Sequence, residues 1–231
     1  VSIQFAQTSI VVSRDGSHTL RNEHTGEHYH SIFGAYTESM HVFAEAGLEA
    51  LSLPPDRPVR LLEVGLGTGL NALIAARYCE QNQISIDYVA LEPYSVHPEQ
   101  IRQLNYADFI GDELFTSYQA AYPDLLAGDG WKYGEFKMQV EQQQLEQWSA
   151  AAQSFDLIFY DAFSPASQAD MWEEEVLDKV AACLAPGGML VTYCIRGYIR
   201  RRFLAHGLLA EKLAGPPGKR EMLRIKHPAH V

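Results

Sequence analysis

An apolar run that ends in three alternating glycines constrains this chain more than any other feature. Val59 to Val64 reads as a short strand, and Gly65-Leu66-Gly67-Thr68-Gly69 follows it directly. Leu70, Leu73 and Ile74 then fall on one side of a helix over Asn71–Tyr78. A strand that turns into a helix this tightly needs positive φ angles, which glycine adopts without a Cβ penalty, and it lets a ligand approach the backbone. The spacing is GxGxG. The dinucleotide fingerprint GxGxxG has its third glycine one residue later, so NAD and FAD are disfavoured. No Gly-Lys-Ser/Thr follows, which excludes a Walker A loop. Glu63, Thr68 and Asn71 belong to the same stretch and join Gly65, Gly67 and Gly69 as candidate cofactor-side residues.

The remaining pattern alternates strands with helices. Ile84–Leu91, Phe136–Val140, Phe155–Tyr160 and Met189–Cys194 read as further strands, the last after the Pro186-Gly187-Gly188 turn. Gln142–Ala152 and Met171–Cys183 read as helices. Ala210–Leu213 and Met222–Lys226 form a closing antiparallel hairpin around Gly215-Pro216-Pro217-Gly218. This order implies an α/β fold, mostly parallel, with helices on both faces. Ahead of it, Ile10–Ser13 is a short strand, Arg14–Ser17 a turn, and Thr37–Leu51 a helix; Pro54, Pro55 and Pro58 then break the chain. Residues 1–58 are therefore expected to be an N-terminal extension packing on a domain of residues 59–231.

Ligands in such sheets bind at the carboxyl ends of the strands. Glu92 ends the second strand in Ala90-Leu91-Glu92-Pro93, 23 residues after Gly69. A carboxylate there accepts hydrogen bonds from both hydroxyls of a ribose; the bland alternative is a solvated strand end. Asp161 ends the fourth strand at the same edge, where it is either a site residue or a helix cap.

The EVGLGTGLN…ALEP arrangement resembles the first two motifs of class I methyltransferases, which use S-adenosylmethionine on a Rossmann-like fold. The resemblance implies that the glycine turn faces the methionine moiety and Glu92 holds the ribose. It also implies that an acid after the third strand, here Glu141, reads the adenine amino group; otherwise Glu141 is an exposed residue opening a helix. Asp161 then sits beside the sulfonium, where the methyl acceptor approaches.

A narrower likeness rests on Asp161-Ala162-Phe163-Ser164-Pro165-Ala166, Asp170-Met171-Trp172, Gly218-Lys219-Arg220-Glu221-Met222-Leu223 and Gly34-Ala35-Tyr36-Thr37-Glu38-Ser39. These strings resemble the methyltransferase part of the bifunctional tRNA 5-methylaminomethyl-2-thiouridine biosynthesis enzymes. The resemblance implies methyl transfer to the amine of 5-aminomethyl-2-thiouridine in the tRNA anticodon. Asp161 would face the amine, Glu38 would close over it, Phe163 and Trp172 would shape the pocket, and Lys219 and Arg220 would contact phosphates together with Arg200–Arg202. The chain carries no second glycine fingerprint for the FAD-dependent half of those enzymes. The expectation is methyl transfer alone, with a separate enzyme supplying the aminomethyl nucleoside.

The net charge of −11 has the wrong sign for an RNA-binding protein, but it is unevenly spread. Nine of the eighteen basic residues lie between Arg196 and Lys226, against Glu211 and Glu221 alone. From the residues alone, Arg200–Arg202 read more readily as a solvated helix face. Cys79, Cys183 and Cys194 form no CxxC pair, so reduced thiols in a cytoplasmic protein are expected. No apolar run is long enough to span a bilayer, and Val1 to Ile10 shows no secretory-signal pattern. His24, His28 and His30 lack an accompanying carboxylate cluster and read as surface residues rather than a metal site. No GxSxG elbow surrounds Ser39 or Ser164, which argues against a hydrolase. Two rivals stay open: a small-molecule transferase such as a polyamine aminopropyltransferase, and a non-catalytic binding protein on the same fold.

Overall fold

Phe155 to Tyr160 is buried at all six positions, so this strand must be covered on both faces. Its side chains alternate between two cores. Leu157 and Phe159 enter one, whereas Ile158 and Tyr160 enter the other. Leu61 and Leu62 on the neighbouring strand divide the same way.

The computed structural model describes residues 4–54 and 56–229. Val1 to Ile3, which open the stretch read for a signal, and Pro55, one of the chain-breaking prolines, lie outside the described residues. The chain begins with an antiparallel pair, β1 (Thr8–Val12) and β2 (His18–Asn22). Helix α1 (Ala35–Ser39) continues into a wider π-type winding over Met40–Leu48. Then come β3 (Val59–Val64), α2 (Leu70–Asn82) and β4 (Ile86–Leu91). Three helices follow: α3 (Pro98–Arg102), α4 (Ala107–Ile110) and α5 (Asp112–Ala127). The chain continues through β5 (Trp131–Tyr133), β6 (Phe136–Glu141), β7 (Phe155–Tyr160), α6 (Glu174–Cys183), β8 (Leu184–Thr192) and α7 (Gly197–Ala205). It closes with β9 (Leu209–Ala214) and β10 (Glu221–Lys226).

Eight strands make one sheet in the order β5-β6-β4-β3-β7-β8-β10-β9. The five central strands β6, β4, β3, β7 and β8 are parallel, and the C-terminal hairpin adds antiparallel to β8. The expected α/β architecture and closing hairpin are present. Strand order reverses between β3 and β7, which opens a crevice at their carboxyl ends.

The helix expected at 142–152 is absent. Lys179 Nζ donates to the carbonyls of Leu145, Glu146 and Trp148 at 3.1, 2.6 and 2.8 Å, so a lysine satisfies groups that a helical turn would otherwise pair. The segment expected as one helix from Met171 is a short 3₁₀ turn, Ala169–Trp172, broken from α6 by the extended backbone of Glu173. The π-type winding carries Gly47 against the sheet. A Cβ there would lie 3.2 Å from the Phe159 ring, so the small residue allows the close approach.

Asp156 is a buried charge within β7. Arg57 donates two hydrogen bonds to it, at 2.6 and 2.8 Å, and Arg60 adds its backbone N–H at 3.0 Å and Nη2 at 3.0 Å. Burial alone would raise its pKa; the two guanidiniums overcome that and hold the carboxyl well below the usual range. A depressed pKa gives stability that is present above about pH 4 and lost as pH falls below it. Asp156→Asn should therefore lose about 1–2 kcal/mol at pH 7, because the arginines are half exposed, and less at pH 3. Urea denaturation at both pH values measures the difference.

Candidate functional site

The crevice between β3 and β7 is held open by absent side chains. Asp161 N–H donates to Val64 O at 3.0 Å, pulling the two strand ends together. A Cβ at Gly65 would come within 2.8 Å of Asp161 O, and Gly65 takes φ +91°. At Gly67, with φ +53°, a Cβ would lie 2.8 Å from the Tyr29 ring. Gly69 differs: a Cβ there would overlap the Tyr118 hydroxyl, so this glycine admits α5 behind the turn.

A cavity of about 710 Å³ lies over the turn. Gly65, Leu66, Gly67, Glu92, Asp161 and Phe163 line its floor at the sheet edge. The N-terminal segment forms a wall through Asn22, Thr25, Tyr29 and His30. Gln143 and Gln144 close the far end. Tyr29 packs edge-on against Phe163, with ring centroids 5.0 Å apart. Glu92 accepts from the backbone N–H of Gly67 at 2.9 Å and of Tyr94 at 3.0 Å. Burial raises its pKa to about 7 against the pull of those two bonds.

Asn71 joins two further carboxyls. Its Nδ2 donates to Glu63 Oε1 and to Asp161 Oδ2, both at 2.9 Å. Glu63 is fully buried, and burial raises its pKa well above the ordinary carboxyl value. Asp161 is raised too, first by burial and then by the nearby charge of Glu38, against hydrogen bonding from Asn71 and the charge of Lys219. Glu38 Oε2 accepts from Ser31 N–H and Oε1 from Lys219 Nζ, both at 2.7 Å. Lys219 Nζ also lies 3.7 Å from the Tyr193 ring centroid, a cation–π contact.

The glycine turn, Glu92 and Asp161 thus meet in one cavity. Several other candidates stand elsewhere. Glu63, Thr68, Gly69 and Asn71 lie behind the cavity wall: Thr68 pairs with the Tyr106 hydroxyl at 2.8 Å, and the other three support their neighbours as described. Glu141 does not line the cavity; its Oε2 accepts from Gln143 Nε2 at 2.6 Å. Lys219 points inward to Glu38 rather than outward toward a phosphate, whereas Arg220 is exposed. Phe163 lines the cavity; Trp172 lies beneath, donating Nε1–H to Phe163 O at 2.7 Å. Arg202 of the basic run is tied to Glu174 and Asp178. His30, expected at the surface, is buried against Thr19, and burial lowers its pKa to about 4. Tyr29, Tyr193 and Gln143 were not singled out by sequence, because aromatic and amide residues outside a motif carry no local signal. Among the described residues no group of three His, Cys, Asp or Glu side chains is placed to hold a metal, and no helix is long and apolar enough to cross a membrane.

Residues 133–228 match a family described as S-adenosyl-L-methionine-dependent methyltransferase. The tRNA 5-methylaminomethyl-2-thiouridine biosynthesis bifunctional protein MnmC of Cupriavidus metallidurans is 30% identical over 92% of this chain and 33% of its own length. That of Delftia acidovorans is 28% identical over 86% of this chain and 32% of its own. The chain thus spans about a third of these relatives. MNMC2 from Aquifex aeolicus shares the fold with a TM-score of 0.75, at 22% identity, over 98% of this chain and 72% of that one. Over residues 133–228 the chain thus matches an S-adenosyl-L-methionine-dependent methyltransferase family, and most of its length is similar to about a third of the MnmC proteins.

Proposed function

We propose that this chain methylates the amine of 5-aminomethyl-2-thiouridine at the wobble position of tRNA, in the cytoplasm, and that a different active site supplies the aminomethyl nucleoside. The observation that supports this most is Asp161: a carboxylate on the cavity floor, beside the glycine turn, with one oxygen fixed by Asn71.

The cofactor fits the cavity. Its volume suits a nucleoside with an amino-acid tail. Bare backbone at Gly65 and Gly67 would receive the methionine moiety, Glu92 would take the ribose hydroxyls, and Gln143 and Gln144 would meet the base, with Glu141 steadying Gln143. When bound, the cofactor supplies an electrophilic methyl group on a sulfonium. An alkylammonium has a pKa near 10.4 and must lose its proton to become a nucleophile. Asp161 attracts the cationic amine and aims it; its raised proton affinity also makes it a better proton acceptor than an ordinary carboxylate. In-line approach governs such a transfer, so aim supplies much of the rate. Tyr29 and Phe163 wall the cavity against water.

Three outcomes are expected. Incubation with labelled cofactor and tRNA lacking the terminal methyl should label the wobble nucleoside, read by mass spectrometry; labelling of free polyamines instead would overturn the assignment. Asp161→Asn should lower kcat by about 100-fold while calorimetry shows cofactor affinity within a few-fold of wild type. Cofactor affinity should rise as pH climbs through about 7, because only ionised Glu92 accepts fully from both hydroxyls. Binding below that pH should release a proton, and Glu92→Gln should flatten the profile.

A further inference from the structure

The rim beside the Glu38–Lys219 pair joins two segments distant in sequence. Phe33 covers the bare backbone of Gly218, where any Cβ would strike its ring. The Arg14 guanidinium lies over that ring, 4.4 Å from its centroid, and Arg14 N–H donates to Ile32 O at 2.9 Å. Ile32 and Phe33 remain 42% and 38% exposed. Two residues beyond Gly218, Arg220 is exposed.

Ion pairing sorts the positive charge. Five of the nine basic residues between Arg196 and Lys226 are engaged: Arg202, Lys212, Lys219, Arg224 and Lys226. Arg14, Arg196 and Arg220 make no ion pair among the described residues. Asp15 forms no ion pair with Arg14; its oxygens accept from the N–H groups of Ser17 and Thr37 at 3.0 and 2.9 Å. Arg196 is exposed three residues after Tyr193, whose ring Lys219 contacts.

We infer that the Arg14–Phe33–Arg220 rim is the docking surface for the single-stranded part of the anticodon loop, Arg14 stacking on a base and Arg220 meeting a phosphate. The inference rests on the tRNA reading above. A guanidinium laid on an aromatic ring presents its outer plane, and such planes stack on unpaired bases. An unpaired cation beside it matches the backbone of the same strand. The rim adjoins Glu38, which accepts from Ser31 N–H two residues before Phe33 and from Lys219 one residue after Gly218.

Fluorescence anisotropy with an anticodon stem-loop tests this. Arg14→Gln, Phe33→Leu and Arg220→Gln should each weaken binding by about tenfold. The two arginine variants should also reduce the slope of log affinity against log salt by about 0.7 each. Arg14→Lys should keep the slope yet lose affinity, because it keeps the charge and removes the plane. Lys132→Gln, on the exposed edge strand β5, should change neither. Calorimetry with the cofactor reports whether each variant is folded. Wild-type affinity and slope in Arg14→Gln and Arg220→Gln, from a protein that methylates tRNA, would overturn the rim assignment and leave the function standing. Loss of stem-loop binding in these variants, from a protein that transfers no methyl to tRNA, would support the rim and overturn the function. Absence of stem-loop binding by the wild type would overturn both.

Discussion

One side-chain amide holds the chemistry in place. Asn71 stands at the start of α2, directly after the glycine turn, and its Nδ2 bonds Glu63 from β3 and Asp161 from the end of β7. Strands, turn and helix therefore share a single polar node at the point where the sheet reverses order. Bringing carboxyls together out of water is expensive unless each has a partner. Here each has one: Asn71 for Glu63 and Asp161, backbone N–H groups for Glu92, and Lys219 for Glu38. The compensation is incomplete, which is why burial still raises the proton affinity of Glu63, Glu92 and Asp161. A cavity bordered by under-compensated acids is most relieved by a positively charged guest. A sulfonium cofactor and an amine acceptor are both of that kind.

The N-terminal segment belongs to the site as much as the sheet does. Ser13, Asp15 and Ser17 accept from the N–H groups of Ala35, Thr37 and Tyr36, satisfying the open end of α1 from an upstream turn. That anchorage fixes Glu38 in the first turn of the helix, where it meets Ser31 and Lys219. Tyr29 and His30 lie on the same stretch and are thereby set over the glycine turn. Residues upstream of the prolines thus line the same cavity as the sheet edge.

Much of this was legible in the sequence, for a geometric reason. The carboxyl ends of adjacent parallel strands share one edge, so Gly65, Glu92 and Asp161 could be brought together once the strands were recognised. Side-chain direction was harder. Glu63 and Asn71 lie within the same short motif as Gly65 and Gly67, yet neither lines the cavity: Asn71 bonds Glu63 and reaches the cavity only through Asp161. Gly69 fits the glycine pattern for a packing reason, Tyr118, that lies 49 positions further along the chain. Lys179 replaced the expected helix at 142–152 from 30 residues away, a contact no local window contains. Glu141 was placed correctly at a strand end, but the irregular segment that follows puts Gln143 between it and the cavity.

On the proposed function an acidic protein must receive a polyanionic substrate, and the placement of its charges accommodates that. At physiological salt, exposed charges are screened beyond about 8 Å, so the total of −11 matters less than which charges lie within reach of the strand. The acids nearest the chemistry are buried and face inward, toward the amine. Five of the nine cations of the C-terminal run are spent on Glu211, Glu221, Glu174, Asp178 and Glu38. Those left unpaired at the surface include Arg14, Arg196 and Arg220 beside the active-site rim. Depth rather than composition thus separates the two signs, leaving a negative interior and a positive edge that suit the amine and the phosphate backbone of the proposed substrate.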